Sequence, residues 1–238
     1  MRRDHRPYYL KRWMANLNRR YAERFLHPHF DAIGDGADLR NPRHIEVIGP
    51  NIRVGRHLSA LATNDGPIRL LVDPSTGGRI DIGDYVALSP GVRITAAHSI
   101  TIGNSCSIAQ RVFVTDADWH DLYHRVFPPG PTAPVVLEDN VWLCDGVIVC
   151  KGVRIGENSV AGAGAVVTSD VPPNTVVAGN PARPVKTLDP DAPKTTRSDL
   201  FTELGAIADH EERLDRTELA ENTLLGFLRA LWRPDRET

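Results

Sequence analysis

The sequence predicts a mainly β fold in which short parallel strands wind into a three-sided coil. Aliphatic residues recur at every sixth position, as in Ile82, Leu88 and Ile94, and a compact or β-branched residue follows most of them four positions later. A six-residue period fits neither the 3.6-residue period of a helix nor the two-residue period of a flat strand. It fits a short strand followed by a sharp turn, repeated so that three sides complete one coil.

The repeat runs through most of the chain. Its later members are Ile102, Ile108, Val114, Leu137, Leu143, Val149, Ile155, Ala161 and Val167, and a partial set begins at Ile48. We expect these side chains to point inward and to stack from coil to coil, because a single coil cannot bury its apolar side chains alone. A β-sandwich is the alternative, but it would require alternation within longer strands and less regular spacing.

The repeat is interrupted by residues 115–134, which contain the polar segment "DADWHD" and end in "PPGPTAP". Loops that project from a regular scaffold commonly carry function, so this loop is the candidate site. His120 and His124 lie within it. A histidine with an unperturbed pKa of ~6.5 is largely a neutral base near pH 7, and it can accept a proton from a hydroxyl group.

Three segments follow the interruption in order: "NVW" at 140–142, "GAGAVVTSDVPP" at 162–173 and "AGNPAR" at 178–183. Together with the hexads they resemble the hexapeptide-repeat acyltransferases, in particular the galactoside, maltose and nodulation-type O-acetyltransferases. The resemblance implies a left-handed parallel β-helix over residues 45–187. A capping segment would then occupy residues 1–44, and a linker with a helical tail would occupy residues 188–238.

The resemblance also implies an activity, which is acetyl transfer from acetyl-CoA to a hydroxyl of a saccharide or polysaccharide precursor. His120 matches the family's general base, which lies at the boundary between subunits of a homotrimer. Asp118 and Asp121 are candidates for orienting its ring and stabilising the imidazolium, and a backbone carbonyl is the alternative. His124 is expected to be structural or acceptor-facing. Ser89 stands where the sugar O-acetyltransferases keep an acceptor-binding asparagine.

Acetyl-CoA is the expected co-substrate, and the family positions that bind it can be carried over to this chain. Backbone contacts fall on Asp145, Ala163, Thr168 and Ser169, and phosphate contacts fall on Arg183 and Lys186. The small side chains of residues 162–164 would let an extended ligand approach the backbone closely. The forked guanidinium of arginine suits phosphate.

Three other functions stay open at this stage. The γ-class carbonic anhydrases share this coil and bind zinc through three histidines, for which His98, His120 and His124 are the candidates. Their spacing does not resemble that family, and we expect no metal. A sugar N-acetyltransferase would use a similarly placed histidine on an amine. A noncatalytic scaffold would not bind acetyl-CoA at all.

The bulk composition and the chain ends complete the predictions. A formal net charge of -2 gives no reason to expect nucleic acid, and three cysteines within the repeats fit reduced thiols in the cytoplasm. No stretch approaches ~20 apolar residues, so no transmembrane helix is expected. Residues 8–26 form a basic amphipathic helix that either packs on the protein and caps the first coil or contacts an anionic membrane surface. The acidic tail either pairs with this helix or docks a partner.

Overall fold

The computed structural model describes residues 4–126, 129–202 and 212–232, and its core is a prism of three β-sheets. Sheet A contains β1 (Ala32–Ile33), β4 (Ile52–Val54), β7 (Arg79–Ile82), β10 (Ser99–Ile102), β13 (Val135–Leu137) and β16 (Arg154–Ile155). Sheet B contains β2 (Asp38–Arg40), β5 (Ser59–Leu61), β8 (Ala87–Leu88), β11 (Ser107–Ile108), β14 (Trp142–Leu143), β17 (Val160–Ala161), β19 (Thr175–Ala178) and β20 (Arg183–Thr187). Sheet C contains β3 (Ile45–Ile48), β6 (Ile68–Val72), β9 (Arg93–Ala96), β12 (Phe113–Thr115), β15 (Ile148–Val149) and β18 (Val166–Val167).

The chain visits the three sheets in turn, and each strand pairs in parallel with the strands one coil before and after it. At the end of the prism, β20 folds back and pairs antiparallel with β19. The predicted left-handed parallel β-helix is confirmed. Its first strand begins at Ala32, so coil structure is present before residue 45.

The interior of the prism is the stacked aliphatic column that the hexads predict. Every predicted inward residue from Ile82 to Val167 is buried, and Ile94 and Leu143 are completely so. The prediction was wrong for Ile48, which is 44% exposed because the buried positions of β3 are Ile45 and Val47. Smaller residues fill the remaining space. Cys106 is one of them: its thiol donates to the Glu138 carbonyl at 3.1 Å, and burial raises the pKa of this thiol to about 12. All three cysteines are free thiols.

Asparagines stabilise the turns between sheets A and B in the last coils. Asn140, Asn158 and Asn174 have φ values of 56°, 59° and 54°, in the left-handed region that asparagine tolerates better than most residues. Their side chains form a ladder, because the Asn140 amide donates to Asn158 at 2.9 Å and the Asn158 amide donates to Asn174 at 3.2 Å. One residue type therefore satisfies both the backbone turn and the stacking of successive coils.

The first coil is closed by residues 22–30. A π-helical turn, Ala22–Leu26, and a 3₁₀ turn, His27–His29, place Ala22, Leu26 and Phe30 in the hydrophobic core. The preceding helix α1 (Tyr8–Tyr21) has no buried residue. The expected capping of the coil therefore comes from the residues after α1, and the apolar face of α1 itself is not packed into a core.

The described contacts divide the chain into two units. The β-helix unit is Tyr21–Ser198, and the helical unit combines Met1–Arg20 with Asp199–Thr238. The tail contains α2 (Arg197–Thr202), α3 (residues 212–218) and α4 (Leu224–Trp232). Within the parts of the chain that the structure describes, no helix has both the length and the apolar character needed to cross a membrane.

Candidate active site

The polar loop leaves the prism at the turn between sheets C and A. We call the residues that join these sheets the C–A corner: 49–51, 73–78, 97–98, 116–134, 150–153 and 168–170. Strands on both sides of the loop stay in step, since Val114 pairs with Val149 and Ile102 pairs with Leu137. The loop therefore projects from the scaffold without shifting the coils above and below it.

Asp116 anchors the root of this loop. Its side chain is completely buried, and its carboxylate accepts hydrogen bonds from the backbone N–H groups of Ala97 at 2.7 Å and His98 at 2.9 Å. Its carbonyl accepts from Ala133 at 2.9 Å, which ties the exit of the loop to its entrance. Sequence reasoning missed Asp116. Its position two residues after the inward Val114, still inside the prism, is the signal that identifies a buried acid.

The neck of the loop is a tight backbone pairing. Gly130 donates to the Asp118 carbonyl at 2.7 Å, and Asp118 donates to the Pro131 carbonyl at 3.0 Å. A Cβ atom on Gly130 would lie 2.5 Å from the His120 carbonyl oxygen, so only glycine fits there. The Trp119 indole donates to the Thr115 hydroxyl at 3.2 Å and fixes that ring at the loop entrance. These contacts give the segment before His120 a defined path.

His120 is exposed, and in the described part of the loop neither predicted acid has a hydrogen bond or ion pair with its ring. Asp118 forms an ion pair with Lys151 at 2.6 Å. Asp121 accepts the N–H groups of Tyr123 at 2.8 Å and His124 at 2.9 Å, and these hydrogen bonds lower the pKa of Asp121. Over residues 4–126 and 129–202 no hydrogen bond reaches the His120 imidazole. In this structure, therefore, both carboxylates stabilise the loop and neither orients the ring.

Two further polar side chains flank the loop root along the C–A corner. His98 lies one coil before it, exposed, with its Nδ1 atom 3.0 Å from the Ser99 hydroxyl. Lys151 lies one coil after it and holds Asp118. Sequence reasoning missed Lys151. The hexad register could have found it, because Lys151 follows Val149 by the same two residues that separate Asp116 from Val114.

Other predicted site residues lie on the opposite edge of sheet C. We call the residues that join sheets B and C the B–C corner: 41–44, 62–67, 89–92, 109–112, 144–147 and 162–165. Ser89, Asp145 and Ala163 belong to it, and the Asp145 carboxylate accepts the Gln110 N–H at 3.0 Å. Thr168 and Ser169 lie on the C–A corner, as His120 does. The predicted site residues thus border both edges of one sheet.

The backbone positions predicted to bind the acyl donor are exposed at these corners. Asp145, Ala163, Thr168 and Ser169 are all solvent-exposed, and none of their N–H groups has an acceptor within the described ranges. A Cβ atom on Gly164 would meet nothing within 4 Å, so the space outside this turn is open. Unsatisfied N–H groups next to open space can donate to an extended ligand.

The two predicted phosphate-binding residues lie on β20. Arg183 pairs with Ala178 and Lys186 pairs with Val176, so Arg183 is at the end of the strand pair next to the B–C corner. Lys186 is nearer the opposite end. Both side chains are exposed, and the Arg183 guanidinium donates to the Ala182 carbonyl at 2.8 Å.

Sheet C presents an apolar strip between the two corners. Phe113, Ile148 and Val166 are in register on its outer face, and the guanidinium of Arg93 lies 4.4 Å from the centre of the Phe113 ring. Side chains on the outer face of the prism are normally in contact with solvent, so an apolar strip there is a candidate contact surface. Sequence reasoning missed this strip, because the hexad pattern identifies the inward residues and leaves the outward ones unconstrained.

The chain is similar to several O-acetyltransferases. The galactoside O-acetyltransferase of Escherichia coli is 35% identical over 116 residues, covering 48% of this chain and 57% of the relative. An Escherichia coli protein named as an O-acetyl transferase of lipopolysaccharide biosynthesis is 35% identical over 129 residues, covering 50% and 66%. The galactoside O-acetyltransferase of Lactococcus lactis is 34% identical over 153 residues, covering 64% and 60%. The chain belongs to the hexapeptide-repeat acyltransferases.

The chain spans roughly half to two thirds of the length of these curated relatives. No family model matches the sequence. Among solved structures, a hexapeptide-repeat acetyltransferase from Vibrio cholerae in complex with acetyl coenzyme A aligns with 71% of this chain and 78% of its own at 26% identity, with a TM-score of 0.42. Since a TM-score of this size does not establish a fold, the fold rests on the strand pairing of the chain itself.

The zinc alternative within this hexapeptide-repeat fold requires a cluster of ligands. In the described parts of the chain, no three or more His, Cys, Asp or Glu side chains are grouped so that they could hold a metal ion. The candidate ligands His98, His120 and His124 therefore do not form such a group here.

Proposed function

We propose that this protein transfers an acetyl group from acetyl-CoA to a hydroxyl of a saccharide or polysaccharide precursor, with His120 as the general base. The observation that carries the proposal is the exposed His120 on a loop rooted by a completely buried carboxylate, in a chain similar to named O-acetyltransferases. A reactive side chain on a loop with a rigid root can be held close to one geometry, which favours positioned proton transfer.

The residues present fit an acyl-CoA ligand. The exposed N–H groups of Asp145 and Ala163 can donate to its extended amide-containing arm, and Arg183 lies at the same corner, where it can meet a phosphate. The outer strip of sheet C offers apolar contact between that corner and the loop. When bound, the thioester supplies an electrophilic carbonyl carbon and a thiolate leaving group.

In the proposed reaction, His120 transfers one proton, that of the acceptor hydroxyl. His120 accepts the proton of the acceptor hydroxyl as the oxygen bonds to the carbonyl carbon. The resulting imidazolium returns that proton to the departing sulfur, so that ester and free thiol are formed and the histidine is neutral again. Ser89, which is half-buried at the B–C corner, can hold the acceptor through its hydroxyl. The loop, together with the surface that faces sheet C, would exclude water from the site and orient the acceptor hydroxyl toward the thioester.

We propose that the surface facing sheet C is a second copy of the chain, in a homotrimer that works in the cytoplasm. The exposed apolar strip, with Ile148 at 37% exposure, supports a covered face. Three free thiols support a reducing compartment. Sedimentation equilibrium tests the assembly: a trimer is expected, and Ile148→Glu should dissociate it. A monomeric wild-type protein would contradict this part of the proposal.

A thiol-release assay tests the activity. Acetyl-CoA should release thiol in the presence of hydroxyl-bearing saccharides, and His120→Ala should lower kcat by ~10² or more while calorimetry still shows acetyl-CoA binding. His124→Ala is the matched control, because this exposed histidine is in the same loop and should leave most turnover intact. Near-normal turnover in His120→Ala would reject the assigned base.

Two other outcomes would replace the proposal. Thiol release with amino sugars alone would establish an amine acceptor and an N-acetyltransferase. The absence of saturable acetyl-CoA binding by the wild-type protein would favour a noncatalytic scaffold.

A further inference from the structure

In helix α1 of the helical unit, charged side chains face another helix of the unit and apolar side chains are exposed, which is the opposite of an ordinary surface helix. Helix α1 contains no acidic residue and carries Lys11, Arg12, Arg19 and Arg20. Leu10, Trp13, Met14, Leu17 and Tyr21 recur at helical spacing on the other face. An amphipathic helix normally buries its apolar stripe and exposes its charges. In α1 the charged face forms the ion pairs, whereas on the apolar face only Tyr21, at the C-terminal end of the helix, has a ring contact within the described part of the chain, with Phe25 and Arg43.

The charged face of α1 is paired with α3. The Tyr8 hydroxyl donates to Glu212 at 2.7 Å, Lys11 pairs with Asp215 at 2.6 Å, and Arg12 pairs with Glu212. Arg216 adds a contact to Glu212 at 2.7 Å and lies 5.2 Å from the centre of the Tyr8 ring. These contacts fix which face of α1 is turned toward α3.

The apolar face of α1 therefore points away from α3 and is exposed to solvent. Trp13 is 58% exposed and Leu17 is 43% exposed, and no residue of α1 is buried. Helix α4 shows the same condition, with no buried residue and with Leu225 at 80% and Trp232 at 89% exposure. Two helices of one unit therefore expose tryptophan and leucine side chains at once. On α1 the exposed apolar side chains lie along one face of the helix, and an exposed apolar face of this kind indicates an interaction site.

Charge distinguishes a lipid surface from a second copy of the chain as the occupant. Arg20 follows Leu17 by three residues and Trp13 by seven, so its positive charge borders the apolar face. Two such faces brought together would place one Arg20 near the other, and these like charges would repel each other. Arginine beside tryptophan and leucine is instead the composition of helices that lie in the interface of an anionic bilayer, where tryptophan occupies the headgroup level.

We propose that the apolar face of α1 binds the surface of an anionic membrane. The helix would lie in the plane of the interface, with Trp13 and Leu17 inserted and Arg20 among the headgroups, while α3 holds its opposite face. This inference rests on the helical unit alone and is independent of the proposed acetyl transfer.

Vesicle co-sedimentation of the full chain tests the proposal. The wild-type protein should sediment with vesicles of phosphatidylcholine and phosphatidylserine, and much less with phosphatidylcholine alone. The double variant Trp13→Ser, Leu17→Ser should lower the partition coefficient on the order of tenfold or more. Arg20→Glu should weaken binding to the anionic vesicles selectively. The control is Ile48→Ser, Leu61→Ser, which removes two exposed apolar side chains from the β-helix unit and should bind as wild type does.

The other outcomes contradict the proposal. If the wild-type protein does not sediment with anionic vesicles, the membrane is not the occupant. If Trp13→Ser, Leu17→Ser instead lowers the oligomeric state in sedimentation equilibrium without affecting vesicle binding, the face joins two copies of the chain. Equal binding of the double variant and the control would show nonspecific adsorption. Circular dichroism of each variant establishes that its fold is retained.

Discussion

The β-helix unit and the helical unit use their apolar and charged residues in opposite ways. In the prism, Ile94 and Leu143 are completely buried, and charged residues lie at the corners or on outer faces. In the helical unit, tryptophan and leucine are exposed, and ion pairs such as Lys11–Asp215 connect the elements. Leu219 and Pro7 are among its few buried side chains. Burial therefore stabilises one unit, whereas the other depends much more on exposed polar contacts.

The largest expected difference between the units comes from shortening a leucine in each. Leu143→Ala should lower the free energy of unfolding by about 2–5 kcal/mol, because it leaves a cavity in a fully packed column. Leu225→Ala, at a side chain that is 80% exposed, should change it by less than about 0.5 kcal/mol. Urea denaturation of both variants measures the contrast. Similar losses would show that α4 is packed in solution.

Removing the buried acid at the loop root should have the next largest effect. Asp116→Ala leaves the N–H groups of Ala97 and His98 without their acceptor, and should cost about 1–3 kcal/mol. Asp116→Asn keeps one acceptor oxygen and should cost less. If both variants unfold at the wild-type denaturant concentration, the carboxylate does not anchor the loop. If it does anchor the loop, kcat of thiol release should fall in Asp116→Ala even where the protein is fully folded.

The ion pair that supports the loop should matter less for stability. Lys151 and Asp118 are 32% and 44% exposed at their side chains, and pairs of this exposure contribute about 0–1 kcal/mol. Lys151→Met should therefore shift thermal unfolding only slightly, while limited proteolysis near residue 124 should become faster as the loop loosens. A loss as large as that of Asp116→Ala would mean that Lys151 has a structural role beyond this pair.

Lowering the pH should weaken the contacts between α1 and α3 over a defined range. Of the changes considered, this one should have the smallest effect on the free energy of unfolding. Hydrogen bonds from Tyr8 and Arg216 lower the pKa of Glu212 from 4.5 to about 2. Because the folded-state pKa is the lower one, the stabilisation is fully present above about 4.5 and is lost as the pH falls toward about 2. Amide exchange in α1 and α3 should accelerate across this window. Glu212→Gln should flatten that dependence, and an unchanged profile in this variant would exclude Glu212 as its source.

The sequence predicted the prism well because the hexad is enforced by burial. An inward position such as Leu143 tolerates little besides an aliphatic residue, so the pattern is visible in the letters alone. The left-handed turns between sheets A and B left a weaker signal, because asparagine occupies them in the last coils, as at Asn140 and Asn158, whereas Tyr85 and Ser105 occupy them in earlier coils. Even so, the strands at Ala32–Ile33 and Asp38–Arg40 went unrecognised, although Ile33, Leu39 and Ile45 keep the same six-residue spacing.

The candidate site was harder to predict, because loop side chains follow local hydrogen bonds rather than a period. Asp121 bonds to the backbone of Tyr123 and His124, and Asp118 extends to Lys151 on the next coil. The residue spacing around His120 does not reveal which partner either carboxylate binds. The same holds for α1, where the pairing of Lys11 with Asp215 joins residues that are far apart in the chain and determines which face is outward.

The uninterrupted register across the loop has a practical consequence. Ile102 pairs with Leu137 across the loop just as Ile82 pairs with Ile102 where the coil has no such loop. The strand pairing of the scaffold therefore does not depend on the loop that leaves it. Chimeras that exchange residues 119–129 between related proteins should keep the strand pairing on both sides of the loop, because the neck residues Asp118, Gly130 and Pro131 are retained. The loop can in this way be replaced while the scaffold is retained unchanged.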